Sequence, residues 1–187
     1  MTTWQIIAAP ECPILTMHDN QEARAFEDFV RLDAQDNSAP LSAPLSVKFY
    51  DTNEEQRPLT DVIRLWGYGH VLVFRKRAHG ILGTMIEPYV NIKLLNLAGK
   101  ETLSAISIIE RVECIDTERT RILYRPDGGI RIVRPFENLT LRSAAVVGKY
   151  IFCIDVYPFA LFVSNEFKLL VEEYGLTGLS FRKIPES

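Results

Sequence analysis

The side chains that could act as nucleophile, general acid or general base are few and lie far apart in the sequence. The histidines and cysteines number three each, and they are His18, His70, His79, Cys12, Cys114 and Cys153. A catalytic nucleophile needs a base within hydrogen-bond reach, and on sequence alone a pair such as His70 with Cys114 stays open. The acidic pairs Glu54–Glu55 and Glu172–Glu173 are adjacent in sequence. The two carboxylates of each pair therefore point in different directions and make no natural acid–base couple.

The familiar catalytic motifs are absent from the sequence. It contains no G-x-S-x-G nucleophile elbow, no H-E-x-x-H zinc motif and no G-x-x-x-x-G-K-[ST] phosphate loop. Gly67-Tyr68-Gly69 precedes a strand predicted at 71–74, whereas a phosphate loop follows a strand and opens a helix, so we predict a turn there. This pattern favours a protein that works by binding. We expect no catalytic residues, no cofactor and no metal site.

A basic triplet, Arg75-Lys76-Arg77, begins a helix predicted at 76–86. Recognition of nucleic acid needs a wider basic face with aromatic side chains for stacking. We therefore interpret the triplet as the solvated start of the helix and expect no nucleic-acid partner.

Composition indicates a cytoplasmic globular protein. Apolar residues make up 47% and charged residues 24% of the 187 residues, which is enough to bury a sizeable core in one domain spanning 1–187. An odd number of distant cysteines argues against a disulfide framework and for a reducing compartment. No Lys or Arg precedes the apolar residues at the N-terminus, so we expect no signal peptide. The longest apolar run, 150–163, contains Asp155 and Pro158 and is too short to cross a bilayer.

Charge is distributed unevenly along the chain. The net charge is −3, and residues 1–70 carry −6 whereas residues 71–187 carry +3. Two ordinary solvated surfaces would explain this, but an acidic face that attracts a basic partner would explain it too. For the second case we predict a partner-binding face that includes Glu22, Glu27, Asp51, Glu54 and Glu55.

Periodicity and turn signals predict an α+β fold. Strands are predicted at 3–8, 47–50, 71–74, 89–95, 103–114, 121–124 and 130–133, and helices at 20–32, 59–66 and 76–86. Asp127-Gly128 between two of these strands predicts a hairpin, with Arg121, Arg131 and Arg134 on one exposed surface. Residues 137–147 are a short helix or an irregular connection. A loop rich in Asp, Ser and Pro, 33–44, separates an N-terminal helical part from a β-rich remainder. We expect a mostly antiparallel central sheet with a few short helices packed on one face.

The last segment, 150–184, carries the clearest local signals. Two apolar strands, 150–156 and 159–163, are followed by Ser164 at a helix N-cap position. Phe167, Leu170, Val171 and Tyr174 then form one apolar stripe, and Gly175 ends the helix. A final strand is predicted at 176–181, and Arg182-Lys183 lead out to solvent.

The same segment resembles the end of a family of bacterial polymorphic-toxin immunity proteins, immunity family eleven, formerly a domain of unknown function. The resemblance lies in Phe162-Val163-Ser164, the helix that follows, and Gly175-x-x-Gly178-x-x-Phe181. Looser similarity extends to 108–120 and 59–86.

This resemblance implies a cytoplasmic inhibitor that binds one cognate toxin domain and occludes its active site. The alternatives are an enzyme or small-molecule-binding module with a buried pocket, and an adaptor or chaperone for a secreted effector. An enzyme should show a pocket with perturbed titratable groups, whereas an immunity protein should show a large exposed patch.

Overall fold

A computed structural model of the chain describes residues 2–31, 43–120, 122–124, 130–132, 139–154 and 157–187. Its strands are β1 (Thr3–Ala8), β2 (Ile14–Met17), β3 (Leu45–Phe49), β4 (Val62–Leu65), β5 (Val71–Phe74), β6 (Val90–Leu97), β7 (Glu101–Ile108), β8 (Ile122–Tyr124), β9 (Ile130–Ile132), β10 (Ile151–Ile154), β11 (Tyr157–Ser164) and β12 (Leu179–Ile184). Its α-helices are α1 (Asn20–Arg31), α2 (Thr52–Glu55), α3 (Lys76–Ile86) and α4 (Asn165–Glu173).

Six of the strands close into a barrel in the order β2-β3-β6-β7-β5-β4. The β2–β4 and β3–β6 pairs are parallel, and the other four pairs are antiparallel. Alternate side chains of these strands, Ile63, Val73 and Ala105 among them, fill the interior. Phe26 of α1 is fully buried in the same cluster and packs edge-on against Tyr68, with 4.9 Å between the ring centroids.

A separate antiparallel sheet has the order β10-β11-β1-β12. One of its faces packs with α3, α4 and the outer side chains of barrel strands, such as Val62, Leu72 and Ile106, in a cluster that we call the interlayer core. Phe152 and Phe162 on the other face stack with centroids 5.6 Å apart and pack against irregular segments that contain Cys114 and Leu141.

The α+β prediction is confirmed, but the predicted mostly antiparallel central sheet is only partly correct. The strands are divided between a closed barrel with two parallel pairs and a four-stranded sheet. The reason is that the barrel closes through β2 and β4, whereas β1 pairs with β11 and β12 near the other end of the chain. Local periodicity carries no information on such long-range pairing.

The predicted helix at 59–66 is wrong, since Val62–Leu65 forms β4. Val62 faces the interlayer core and Ile63 the barrel interior, so the strand is buried on both faces and shows no alternation. The final strand is Leu179–Ile184 and not 176–181, because 176–178 form the turn after α4. Arg182 and Lys183 therefore lie within β12, with exposed side chains.

Several other predictions are confirmed. The strands at Thr3–Ala8 and Val71–Phe74 and the helix at Lys76–Ile86 match, and the helix predicted at 20–32 ends at Arg31. β8 and β9 pair as an antiparallel hairpin, but its turn and the side chains of Arg121, Arg131 and Arg134 lie outside the described residues. Most of the 33–44 loop lies outside them too. Between 139 and 147, the described chain is irregular around one short 3-10 turn, Ser143–Ala145.

Most of the local signals predicted for the last helix are confirmed. The hydroxyl of Ser164 accepts a hydrogen bond from the Phe167 N–H at 3.2 Å, and Phe167 and Val171 are buried, with Leu170 partly buried against them. Tyr174 was expected on the same stripe but is 48% exposed. Gly175 has φ +57°, as a left-handed residue after a helix requires.

Gly178 lies in a tighter place than Gly175. Its φ is +96°, and a Cβ there would lie 2.0 Å from the backbone oxygen of Val62 and 2.7 Å from Oγ1 of Thr60. A Cβ at Gly175 would meet no atom within 4 Å. The backbone of the turn after α4 thus lies directly against β4 of the barrel.

The two glycines give a matched test of this close approach. Gly175→Ala should cost about 1 kcal/mol, because only the left-handed conformation penalises a side chain there. Gly178→Ala should cost about 3 kcal/mol or more, because the backbone must also move away from Val62. Chemical denaturation of both variants measures the difference, and equal losses would show that the turn does not contact β4.

Candidate functional site

A cleft with a volume of about 610 Å³ lies between the barrel and the four-stranded sheet. We call it the aromatic cleft, from the rings at its rim. Its walls come from β1, β4, β5, β11 and β12, through Ile6, Val62, Leu72, Leu161 and Leu179. These side chains are aliphatic, so the cleft is an apolar site of the size that small ligands or partner side chains occupy.

Three aromatic side chains surround the cleft or extend its rim. Trp66 and Phe159 line it and are 53% and 63% exposed. Tyr50, 44% exposed, stacks on Trp66 with centroids 4.3 Å apart and an angle of 26° between the ring planes. Large aromatic side chains that are exposed together at one site are typical of surfaces that a partner covers.

Strand β2 anchors the backbones of Tyr50 and Trp66. The Tyr50 N–H, just after β3, donates to the oxygen of Ile14 at 2.9 Å, and the Trp66 N–H, just after β4, donates to the oxygen of Leu15 at 2.8 Å. β3 and β4 pair with the two edges of β2, so the backbones of both residues are held by this one strand. Gly67, with φ +82°, then turns the chain sharply after Trp66, in the turn that the sequence predicts at 67–69.

Phe159 reaches the rim from the other layer. Its strand, β11, comes so close to the β4–β5 turn that a Cβ at Gly69 would lie 3.0 Å from the Phe159 oxygen. The His70 ring lies beside Phe159, with 6.1 Å between centroids. The cleft therefore depends on how closely the sheet approaches the barrel at this turn.

Arg64 provides the formal charge of the cleft. It lies on β4 between Val62 and Trp66, its side chain is exposed, and it is the single charged residue among the described residues of the lining. In the part of the chain that the structure describes, its guanidinium makes no hydrogen bond or ion pair.

Burial favours the neutral form of Cys12, which lines the cleft, and of His70, which lies beside Phe159. Burial raises the pKa of the Cys12 thiol, although Arg64 acts in the opposite direction, and Sγ lies 3.5 Å from the backbone oxygen of Val62. Burial lowers the pKa of His70, and the charge of Arg111 lowers it further. Its Nδ1 is buried without a hydrogen-bond partner among the described residues. A neutral thiol is a poor nucleophile, so Cys12 is suited to packing.

The histidine–cysteine pair that the sequence left open is not formed. No hydrogen bond joins His70 to Cys114 in the described structure, and burial raises the pKa of Cys114 to about 12. A histidine–hydroxyl contact that the sequence did not suggest is formed instead, since His79 Nδ1 lies 2.7 Å from Ser104 Oγ. It joins α3 to β7, and its residues are 25 positions apart, so no local pattern indicated it.

Several residues predicted for the acidic partner-binding face make contacts within the chain. One oxygen of Glu22 accepts the Ser46 N–H at 2.7 Å. Asp51 accepts the Asn53 N–H at 2.8 Å, and Glu55 lies 3.3 Å from Lys100 Nζ. Glu27 is exposed, and the side chain of Glu54 lies outside the described residues.

Asp51 lies at the border of the aromatic cleft, beside the Tyr50–Trp66 stack. Asp51 follows Tyr50 directly, and together with Glu55 it lines a shallow depression that also contains Lys48 and Lys100. These four residues, Lys48, Asp51, Glu55 and Lys100, form a mixed-charge border next to the Tyr50–Trp66 stack. Glu22 and Glu27 lie on α1, outside this border.

Among the described residues, His18, Asp19 and Glu22 have ligand atoms within 4.8 Å of one another, a spacing at which a metal ion could bind. The geometry is explained by a helix cap, because Asp19 Oδ1 accepts the N–H groups of Gln21 and Glu22 at 2.9 Å each. These bonds, the one from Glu22 first, lower the pKa of Asp19.

A comparison of the chain with protein-family models gave no match, and a search of curated proteins gave none. In the described part of the chain, no helix has both the length and the apolar character that a membrane-crossing helix needs.

The lowered pKa of His70 predicts a pH dependence of stability. The unfolded chain binds a proton at His70 near its ordinary pKa of 6.5, whereas the folded chain binds it only at lower pH. The contribution of His70 is therefore complete above about pH 6.5 and is lost as the pH falls through the folded value. Between pH 8 and 5 the wild type should lose more stability than His70→Gln.

Denaturant unfolding at several pH values measures this difference. His18→Gln, at the exposed start of α1, is the matched control and should follow the wild type. The assignment would be wrong if His70→Gln lost stability with falling pH as steeply as the wild type does.

Proposed function

We propose that this protein is a cytoplasmic immunity protein that binds a cognate bacterial toxin domain at the aromatic cleft and covers the active site of that toxin. The observation that carries the proposal is the group of exposed rings, Tyr50, Trp66 and Phe159, around an open apolar cleft. The resemblance of 162–181 to immunity family eleven supports the class of partner.

The composition of the rim matches the residues that contribute most to protein–protein affinity. Trp, Tyr and Arg are enriched at such positions, and here Trp66, Tyr50 and Arg64 lie together. The cleft would receive an apolar side chain of the toxin, while the mixed-charge border would set orientation and choice of partner. An interface of roughly 1,600 Å² centred here would be of standard size.

A small-molecule-binding module is the second candidate. The cleft volume of about 610 Å³ favours it, since ligand pockets have this size. The groups near the cleft do not favour an enzyme over a binder, because Cys12 and His70 are shifted towards their neutral forms by burial.

Binding to a toxin domain encoded beside the gene tests the proposal. The complex should have a Kd near 1 nM, because free toxin turns over and harms its host. Tyr50→Ala and Trp66→Ala should each weaken binding by about 2 kcal/mol, roughly thirtyfold, as measured by surface plasmon resonance. Tyr174→Ala is a matched control, since Tyr174 is 48% exposed but lies at the end of α4. A loss of affinity in Tyr174→Ala equal to that in Tyr50→Ala would place the interface elsewhere.

Occlusion also predicts that protection needs no turnover by this chain. Single replacements of His18, His70, His79, Cys12, Cys114 and Cys153 should leave co-expressing cells protected wherever the variant folds. A folded variant that still binds the toxin but no longer protects would show that the protein destroys or modifies its target instead.

A further inference from the structure

The aromatic cleft combines an apolar interior with one cation, Arg64, that has no ion-pair partner among the described residues. The walls contributed by Ile6, Val62, Leu72, Leu161 and Leu179 are aliphatic, and no acidic residue is found among the described residues of the lining. Arg64 adds a single positive charge on the barrel side, beside Trp66. The site is thus complementary to a molecule with an apolar body and one negative charge.

The guanidinium of Arg64 indicates which charged group the ligand should carry. Its planar guanidinium presents two parallel N–H donors, which match the two oxygens of a carboxylate. In the described structure these donors have no hydrogen bond or ion pair within the chain, so a ligand would not have to displace one. One guanidinium neutralises one carboxylate, whereas a phosphate monoester would leave part of its charge uncompensated.

The shape and lining of the cleft indicate which kind of apolar group a ligand should have. The cleft is bordered by strands from two layers, and its walls are branched aliphatic side chains. The aromatic rings lie at the rim, where Trp66 and Phe159 are more than half exposed. A flexible alkyl chain can follow such a wall and exclude water from it, and the Cys12 thiol at the cleft adds no second charge.

We propose that the aromatic cleft binds a free, unbranched carboxylate of medium chain length, with the alkyl chain against the aliphatic walls and the carboxylate at Arg64. Carboxylate binding needs no toxin partner, so its titrations can succeed whether or not toxin binding is observed. Because both proposals use the same cleft, a bound carboxylate and a bound toxin domain would compete for it.

Isothermal titration calorimetry with hexanoate, octanoate and decanoate tests the apolar part of the proposal. Titrations up to about 1 mM, where weak complexes are still detected, should show one saturable site for decanoate. Each added methylene should tighten binding by up to about fourfold. Absence of saturable decanoate binding, or equal affinity for the three acids, would overturn the proposal.

Variants and matched ligands test the charged part. Arg64→Ala should weaken decanoate binding about tenfold and leave binding of 1-decanol unchanged, because only the charged contact is lost. Arg24→Ala, on the exposed side of α1, should behave as the wild type. If decylamine or 1-decanol bound as tightly as decanoate, or if Arg64→Ala left decanoate affinity unchanged, the cleft would not recognise a carboxylate.

A substitution that fills the cleft separates this site from general surface adsorption. Ala8 lines the cleft from β1 and is half-buried, so Ala8→Leu places a larger aliphatic side chain in it. In a folded Ala8→Leu variant, decanoate and 1-decanol should both lose most of their affinity. Unchanged decanoate binding in that variant would place the ligand elsewhere and overturn the assignment.

Discussion

The carboxylate of Asp61 joins the two layers of the protein. It accepts hydrogen bonds from the N–H and the hydroxyl of Thr177, both at 3.0 Å, and from the Arg77 guanidinium at 2.9 Å. The Asp61 N–H in turn donates to the Thr177 hydroxyl at 3.0 Å. The start of β4, the first turn of α3 and the turn after α4 therefore meet at one side chain. Because Arg77 is largely exposed, most of the stabilisation comes from the half-buried bonds to Thr177.

This junction determines where the cleft can lie. The Val62 N–H donates to the Thr177 oxygen at 3.0 Å, and Gly178 then passes against the Val62 oxygen. The sheet is thus held tightly to the barrel at the start of β4. Further along β4, Arg64 and Trp66 face the same gap between the layers, which remains open there as the aromatic cleft. The cleft is the space that remains between the layers beside this close contact. The hydrogen bonds of Asp61 and Thr177 hold the layers together and so fix the positions of its walls.

Sequence reasoning succeeded where the cause of a structure lies within a few residues. The cap at Ser164, the turn at Gly175 and the apolar positions of α4 are of this kind, and each was found. Sequence reasoning failed where a structure depends on distant strands, as it did for β4. Val62 and Ile63 of this strand are buried on opposite faces, by residues that lie more than a hundred positions apart in the sequence. The cleft rim belongs to the second kind, because Tyr50, Trp66 and Phe159 meet only after the barrel has closed and the sheet has docked.

The distribution of charge at the rim changes what the acidic first part of the chain can do. A net charge counted along 70 residues suggests a strong acidic field, but Lys48 and Lys100 lie among Asp51 and Glu55 and offset much of it locally. Neighbouring charges of opposite sign offset one another at a distance, and salt screens the remaining field beyond about 10 Å. The two lysines therefore reduce the long-range field that Asp51 and Glu55 would otherwise produce. For the proposed toxin partner, selectivity would then depend on contacts made at close range, namely the shape of the cleft, the three exposed rings, the charge of Arg64 and the charges of the border.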